Sequence, residues 1–331
     1  MKDHPAAAVA SKLMKAENVL LLTHQRPDGD ALGSTFGMRE FLRANGIAAE
    51  VLVPQGVLPR RYTRMFTGYV PQVTAAELDK FDCILALDCA NPERLGSGED
   101  FSAADLRSRN FLCIDHHAGN SLDAGVSWVS PQSGSTCQMV MELIDALELP
   151  TTAESATFLL TGMMTDTGCF CFSNTTGSAL RAAALAVDSG ANVEMIANEI
   201  FFSKPLNQLN FEAALVERAL RTACEGKFAY ACITPELLDE FNFDLREDEG
   251  LIDILRGLEG VVIAMLVHRR ADGWRVSLRS KDSRYPVRPV ALQFNGGGHA
   301  LAAGCTVDAP EFRDLEEKIL PIIEKMFAES K

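Results

Sequence analysis

The chain has 331 residues, of which 47% are hydrophobic and 23% charged, and its formal net charge is −14. That length suffices for two domains with full cores. The acidic balance excludes a broad electrostatic grip on long duplex DNA, which depends on many Lys and Arg contacts to phosphate, although a locally basic phosphate pocket remains compatible with it.

No apolar run reaches the roughly 18 residues of a membrane span. The apolar patch Ala6–Ala10 is short and follows Lys2, Asp3 and His4, unlike a secretory signal. A cytoplasmic location without a membrane partner is expected. The nine cysteines are irregularly spaced, and Cys83, Cys113 and Cys232 lie in apolar runs. They read as buried reduced thiols. Cys169-Phe170-Cys171 lacks the spacing of a zinc-binding pair.

In chain order, Val19–Thr23 reads as a strand that runs into the polar stretch His24–Asp30. The pattern over Ala31–Asn45 predicts a helix stopped by Gly46. Ala48–Val53, Cys83–Leu87 and Phe111–Ile114 read as strands, the last two each followed by an acidic residue. Ser135–Leu147 and Thr152–Met164 read as helices. This alternation predicts an α/β protein with a doubly wound, mostly parallel sheet. Such sheets bind ligands beyond the carboxyl ends of their strands. Thr176–Ala223 reads as nearly all helical, interrupted at Phe202-Ser203-Lys204-Pro205. The expected organisation is a first domain over 1–186, a helical connector over 187–224, and a second, smaller α/β domain over 225–331. In the second domain Phe228–Ile233 is a strand. Val261–His268 and Trp274–Arg279 form a hairpin around Asp272-Gly273. Pro289–Phe294 is a short helix before a glycine run, and Pro310–Phe327 is an amphipathic terminal helix.

Four polar clusters stand at the predicted turns: His24-Gln25-Arg26-Pro27-Asp28-Gly29-Asp30, Asp88, Asp115-His116-His117, and Asp166. Asp28 and Asp30 are expected on one loop, with Gly29 letting the backbone turn between them. A lone strand-end Asp is usually turn chemistry, so the argument rests on the set. Carboxylates gathered without cations would repel one another and raise each other's pKa. Divalent cations remove that cost, and mixed carboxylate and imidazole donors suit manganese, magnesium or cobalt. A second constellation joins Arg279-Ser280 to Gly296-Gly297-Gly298-His299. Arg279 can grip phosphate bidentately, and glycine amides can cradle an anion. An isolated glycine run is more often a flexible turn.

The HxxxDxD pattern at His24–Asp30, Asp88, the literal Asp115-His116-His117 and Asp166 occur in the order of the DHH phosphoesterases. Gly296-Gly297-Gly298-His299 followed by Ala302-Ala303-Gly304 resembles the DHHA1 domain that accompanies them. The resemblance spans almost the whole chain. It implies that His24, Asp28 and Asp88 hold one cation. Asp30, Asp88, His116 and Asp166 would hold a second, with Asp88 bridging. Asp115 would orient a histidine, and His117 would lie near the substrate phosphate, which makes Asp115, His116 and His117 the expected catalytic group. Arg279, Ser280, Gly297, Gly298 and His299 would bind substrate phosphate and face the metals across a cleft. Two divalent cations are implied, manganese foremost.

The implied activity is hydrolysis of short RNA, of linear dinucleotides such as pApA and pGpG, and of adenosine 3′,5′-bisphosphate (pAp) by a metal-activated water. The group resembled is the nanoRNase and pAp-phosphatase group. A RecJ-like single-strand DNA exonuclease is the alternative within the family, and a non-catalytic nucleotide-binding protein the alternative outside it. The helical stretches are compatible with a homodimer.

Overall fold

In a computed structural model, which describes residues 4–56, 58–95, 101–245 and 250–329, the chain forms two compact units, residues 1–203 and 204–331. The first contains, in order, α1 (Pro5–Leu13), β1 (Asn18–Leu22), α2 (Gly29–Ala44), β2 (Ala48–Leu52), β3 (Cys83–Leu87), α3 (Ala103–Arg107), β4 (Phe111–Asp115), β5 (Val126–Val129), α4 (Thr136–Leu147), α5 (Ala153–Asp166), α6 (Gly177–Asp188) and α7 (Val193–Ile196). Its strands pair in the order β2-β1-β3-β4-β5, and every pairing is parallel.

Successive side chains on a strand face opposite ways, and both faces of this sheet are covered. Val19 and Leu21 join a core with Phe36, Met139 and Leu159 from α2, α4 and α5. Leu20 and Leu22 join another with Val73, Leu78, Phe81 and Leu106. This is the doubly wound sheet expected from the alternation. The chain steps outward from β1 to β2 and then crosses back to β3 on the other side of β1. The carboxyl ends of β1 and β3 therefore flank the reversal of strand order, where open α/β sheets bind ligands.

Three of this unit's described elements were not anticipated: the short helix α3, capped by Ser102, is one. β5 adds an edge strand. The patch Ala6–Ala10 belongs to α1, whose Ala6, Val9, Ala10 and Leu13 are buried.

α2 and α5 cross at close range. Gly29, Gly33 and Gly37 recur every fourth residue and so share one face of α2. A Cβ added at Gly33 would stand 2.5 Å from the Phe158 carbonyl oxygen, one at Gly37 2.6 Å from the Leu159 side chain, and one at Gly29 would strike Thr165. From the facing helix, a Cβ at Gly162 would collide with Cys137 and reach 3.0 Å from the Asp30 Cα. Gly29 is thus required by this helix–helix approach. The expectation that it turns a loop between Asp28 and Asp30 is corrected: Asp28 caps α2, and Gly29 and Asp30 are already in its first turn.

The second unit contains α8 (Leu206–Ala214), β6 (Leu220–Ala223), β7 (Phe228–Ile233), α9 (Pro235–Phe241), α10 (Leu251–Arg256), β8 (Ile263–Arg270), β9 (Gly273–Ser280), α11 (Arg288–Leu292), β10 (Gly297–Gly298), β11 (Ala302–Val307) and α12 (Phe312–Glu329). Its sheet has the order β10-β11-β9-β8-β7-β6, in which β7–β8 is the parallel pair. Leu315, Ile319, Ile323 and Phe327 of α12 pack over one face of the sheet, on Phe228, Met265 and Val276. α8, α9 and α10 cover the other through Phe211, Leu237 and Leu255. The β8–β9 hairpin is antiparallel, with Arg270 opposite Gly273.

One helical expectation fails. Leu220–Ala223 is a strand, paired antiparallel with β7 after a reversal through Cys224, Glu225 and Gly226, all at positive φ. The open edge of β7 offers these residues backbone partners that helix periodicity cannot reveal. Among the described residues no helix is long and apolar enough to cross a membrane.

Candidate metal centre

The first unit brings all of its expected site residues to one place. β1 leads into His24, β3 into Asp88, and β4 ends at Asp115, followed by His116 and His117. Asp28 and Asp30 open α2, and Asp166 closes α5. The glycine contact between these two helices carries Asp30 towards Asp166. His24, Asp30, Asp88, Asp115 and His116 are buried, while Asp28, Asp166 and His117 are partly exposed.

Distances sort the imidazoles into two kinds. His24 Nε2 lies 4.0 Å from Asp28 Oδ2 and 3.8 Å from Asp88 Oδ2. His116 Nε2 lies 3.8 Å from Asp30, 3.5 Å from Asp88 Oδ1 and 3.7 Å from Asp166. These separations exceed a hydrogen bond. They match donor atoms sharing one ion, since ligands about 2.1 Å from a cation stand roughly 3 to 4 Å apart. Asp88 turns one oxygen to each histidine. His117 stands 3.6 Å from Asp88 Oδ1 as well, but differs in that its Nδ1 also makes an ordinary hydrogen bond, 2.8 Å to Asp115 Oδ1. The donors of His24, Asp28 and Asp88 lie within 4.8 Å of one another, as do those of Asp30, His116 and Asp166, and those of Asp88, Asp115 and His117. These groups could hold cations.

The electrostatics fit that use. Burial pushes the Asp30 carboxyl up to about 6, helped by Asp166. Burial lifts Asp88 to about 7 with the help of Asp30 and Asp28, and Asp166 to about 7 with the help of Asp28 and Asp88. Burial also opposes charge on the histidines. Even so, Asp166, Asp88 and Asp30 raise His116 above its usual value, and the hydrogen bond to Asp115 raises His117 to about 10. Asp28 falls below the usual range because His24 and the Ala31 amide outweigh its burial. Asp115 falls because His117 and Asn120 do the same. A centre in which burial and neighbouring acids oppose the charge of three carboxylates is one that cations would stabilise in the ionised form.

Several supporting residues escaped the sequence reading. The Thr136 and Cys137 amides at the start of α4 donate to the two Asp30 oxygens at 2.7 and 2.9 Å, and Thr136 Oγ1 donates to Asp88 at 3.0 Å. Asn120 donates to Asp115 at 2.6 Å. Asn174 donates to the Asp166 carbonyl at 3.1 Å and to its carboxylate at 3.4 Å. His24 Nδ1 lies 2.8 Å from both the Gln25 carbonyl and Arg94 Nη2. Only Ser135, an N-cap before an apolar run, marked one of these positions in advance, by starting α4. The Asn120, Asn174 and Arg94 contacts are tertiary and leave no periodic trace.

The second unit gathers its own set. Arg279 and Ser280 end β9, and Arg279 pairs across to Ala302. Gly297 and Gly298 are not a loose turn: they pair with Gly304 and Ala303, and Gly298 has φ +125°. A Cβ at Gly298 would stand 2.5 Å from the Ala302 carbonyl oxygen. The His299 amide donates to Ala302 at 2.8 Å. Ser280 is buried, and its hydroxyl is engaged with the Asp282 backbone at 3.0 and 3.2 Å.

Comparison with known proteins places the chain in a family. Residues 18–163 match the DHH family N-terminal domain, and residues 225–328 match the DHHA1 domain. The bifunctional oligoribonuclease and PAP phosphatase NrnA of Thermus thermophilus is 31% identical over 95% of this chain and 92% of its own. The protein of the same name from Bacillus subtilis is 25% identical over 88% of this chain and 90% of its own. An exopolyphosphatase-related protein from Bacteroides fragilis shares the fold, with a TM-score of 0.85 at 21% identity, covering 98% of this chain and 97% of that one.

Proposed function

From the premise that the chain belongs to the DHH family, with a DHHA1 domain, and is a hydrolase of phosphoester bonds, we propose that it hydrolyses short oligoribonucleotides, linear dinucleotides and pAp. The observation that carries the reading is the set of carboxylate–imidazole separations of 3.5–4.0 Å around Asp88, too long for hydrogen bonds and right for shared ions. His24, Asp28 and Asp88 would hold one divalent cation, and Asp30, Asp88, His116 and Asp166 a second, manganese foremost. Bound there, the cations would acidify a water and neutralise charge on the phosphoryl oxygens.

The chain's own residues have distinct tasks. Asp115, fixed by Asn120, holds the His117 ring by Nδ1, so that its other nitrogen would be oriented to hydrogen-bond the phosphoryl group. With Nε2 on a cation, His24 Nδ1 would carry the proton and donate to the Gln25 carbonyl rather than accept from Arg94. In the second unit, Arg279 and the amides of Gly297 and Gly298 would bind a terminal phosphate, with the His299 side chain as a further donor. The engaged Ser280 hydroxyl gives that residue a shaping part.

The test is a substrate panel with Mn²⁺: pAp, pApA, pGpG, short RNA, single-stranded DNA and pyrophosphate, with wild type and Asp88→Asn. Release of phosphate from pAp and of mononucleotides from dinucleotides, lost in the variant, is expected. A preference for pyrophosphate or for long single-stranded DNA would overturn the substrate assignment.

A further inference from the structure

Two cysteines break the pattern of the other seven. Cys83, Cys89, Cys113, Cys137, Cys232 and Cys305 are buried and Cys224 is half-buried, but Cys169 and Cys171 are exposed. They stand one residue apart, directly after the last turn of α5 that ends in Asp166. Gly168, Cys169 and Phe170 have φ of +56°, +54° and +62°. Such a left-handed run is unusual for residues with a Cβ. It folds the loop back on itself, so that Cys171 Sγ lies 3.5 Å from the Cys169 carbonyl oxygen.

The loop is also wired to α5. The Cys169 amide donates to Met164 at 2.7 Å, and those of Cys171 and Phe172 donate to Thr167 at 3.0 and 2.9 Å. Thr167 adjoins Asp166 and is buried.

We propose that Cys169 and Cys171 are a redox-active dithiol, which a hydroperoxide closes to a disulfide within the loop, and that closure displaces Asp166. The Cys171 thiolate attacks the distal oxygen of the peroxide. The O–O bond breaks, the alcohol or water leaves, and Cys171 becomes a sulfenic acid. Cys169 then attacks that sulfur, the S–S bond forms, and the hydroxyl departs as water with the Cys169 proton. Two electrons pass from the thiols to the peroxide, and a dithiol reductant reverses the change. Closing the bond must bring the two sulfurs to about 2 Å, which turns Cys171 Sγ away from the Cys169 carbonyl and pulls on the amides anchored on Met164 and Thr167. The effect on cations rests on the proposed metal centre; the disulfide itself does not.

The experiment treats reduced full-length protein with hydrogen peroxide and reads two quantities. Peptide mass spectrometry is expected to show Cys169 linked to Cys171, with sulfenic or sulfinic products on Cys171 instead in Cys169→Ser. Mn²⁺ titration is expected to show about a tenfold weaker affinity after oxidation, the scale set by outer-shell partners of a metal site, restored by dithiothreitol and absent in Cys169→Ser and Cys171→Ser. Unlinked thiols in that peptide after buried cysteines have reacted would overturn the dithiol. A disulfide with unchanged Mn²⁺ affinity would overturn the coupling to Asp166. Reduced wild type that binds no Mn²⁺ would count against the metal centre and leave the mass result standing.

Discussion

The two units assemble polar sites by opposite means. In the first, buried carboxylates and imidazoles are forced together at strand ends, and the cost is electrostatic: three acids titrate near neutrality. In the second, Gly297, Gly298 and His299 are exposed, and the constraint is steric: at Gly298 the strand pair is too close for a Cβ. A cation site can store repulsion that the ion relieves, whereas an anion site made of amides needs bare backbone. Charge changes should therefore break the first, and methyl groups the second.

The largest expected effect is that of Asp88→Asn, which removes the carboxylate turned towards both histidines. Mn²⁺-dependent hydrolysis should fall by more than the roughly 100-fold typical of losing an outer-shell partner. Steady-state kinetics on pAp checks this, and activity within tenfold of wild type would remove Asp88 from its shared position. Asn120→Ala acts one step further out, through Asp115 and His117. A loss of about 10- to 100-fold in kcat is expected, with Mn²⁺ affinity nearly unchanged; a loss confined to metal binding would refute the orienting role.

Gly298→Ala tests the steric half. A rise in KM for pAp with Mn²⁺ affinity intact is expected, and unchanged KM would detach the glycine strand from substrate. Gly33→Ala places a methyl against the Phe158 carbonyl, and overpacking of this kind costs about 1–3 kcal/mol. Urea denaturation measures it, and a neutral result would mean that the two helices can separate freely.

The smallest effect is a pH slope. Asp30, Asp88 and Asp166 have folded pKa values of about 6, 7 and 7 against 3.8 unfolded. Groups raised in this way contribute stability at low pH that is lost as pH climbs through the folded values. Without cations, this contribution should decline between about pH 4 and 7. The Mn²⁺-induced rise in Tm should grow over the same window, and Asp88→Asn should flatten it. Scanning fluorimetry in EDTA and in Mn²⁺ gives both curves, and parallel curves for variant and wild type would contradict the assignment.

Much of this was legible in the chain. Strand ends carry their polar residues because β1, β3 and β4 are short apolar runs that stop at His24, Asp88 and Asp115, and a parallel sheet aligns those ends. The hairpin turn at Asp272-Gly273 could be read locally. Leu220–Ala223 could not, because its strand state comes from an open edge elsewhere in the unit. Asn120, Asn174 and Arg94 stayed hidden for the same reason. The four-residue glycine spacing in α2 was visible but was read for backbone freedom at Gly29, when its meaning was proximity to α5. The exposure of Cys169 and Cys171 followed from a left-handed loop that composition does not announce.

The glycine face of α2 has a practical consequence for engineering. Asp30 lies between Gly29 and Gly33 on the helix, so the bulk of the side chains along that face fixes how far apart two acids from different helices can stand. Gly→Ala replacement in helices is a usual route to heat resistance. Here each added methyl would act as a spacer that overpacks the helix contact and loosens the grip on cations together, so a stabilised variant should leave residues 29, 33, 37 and 162 untouched.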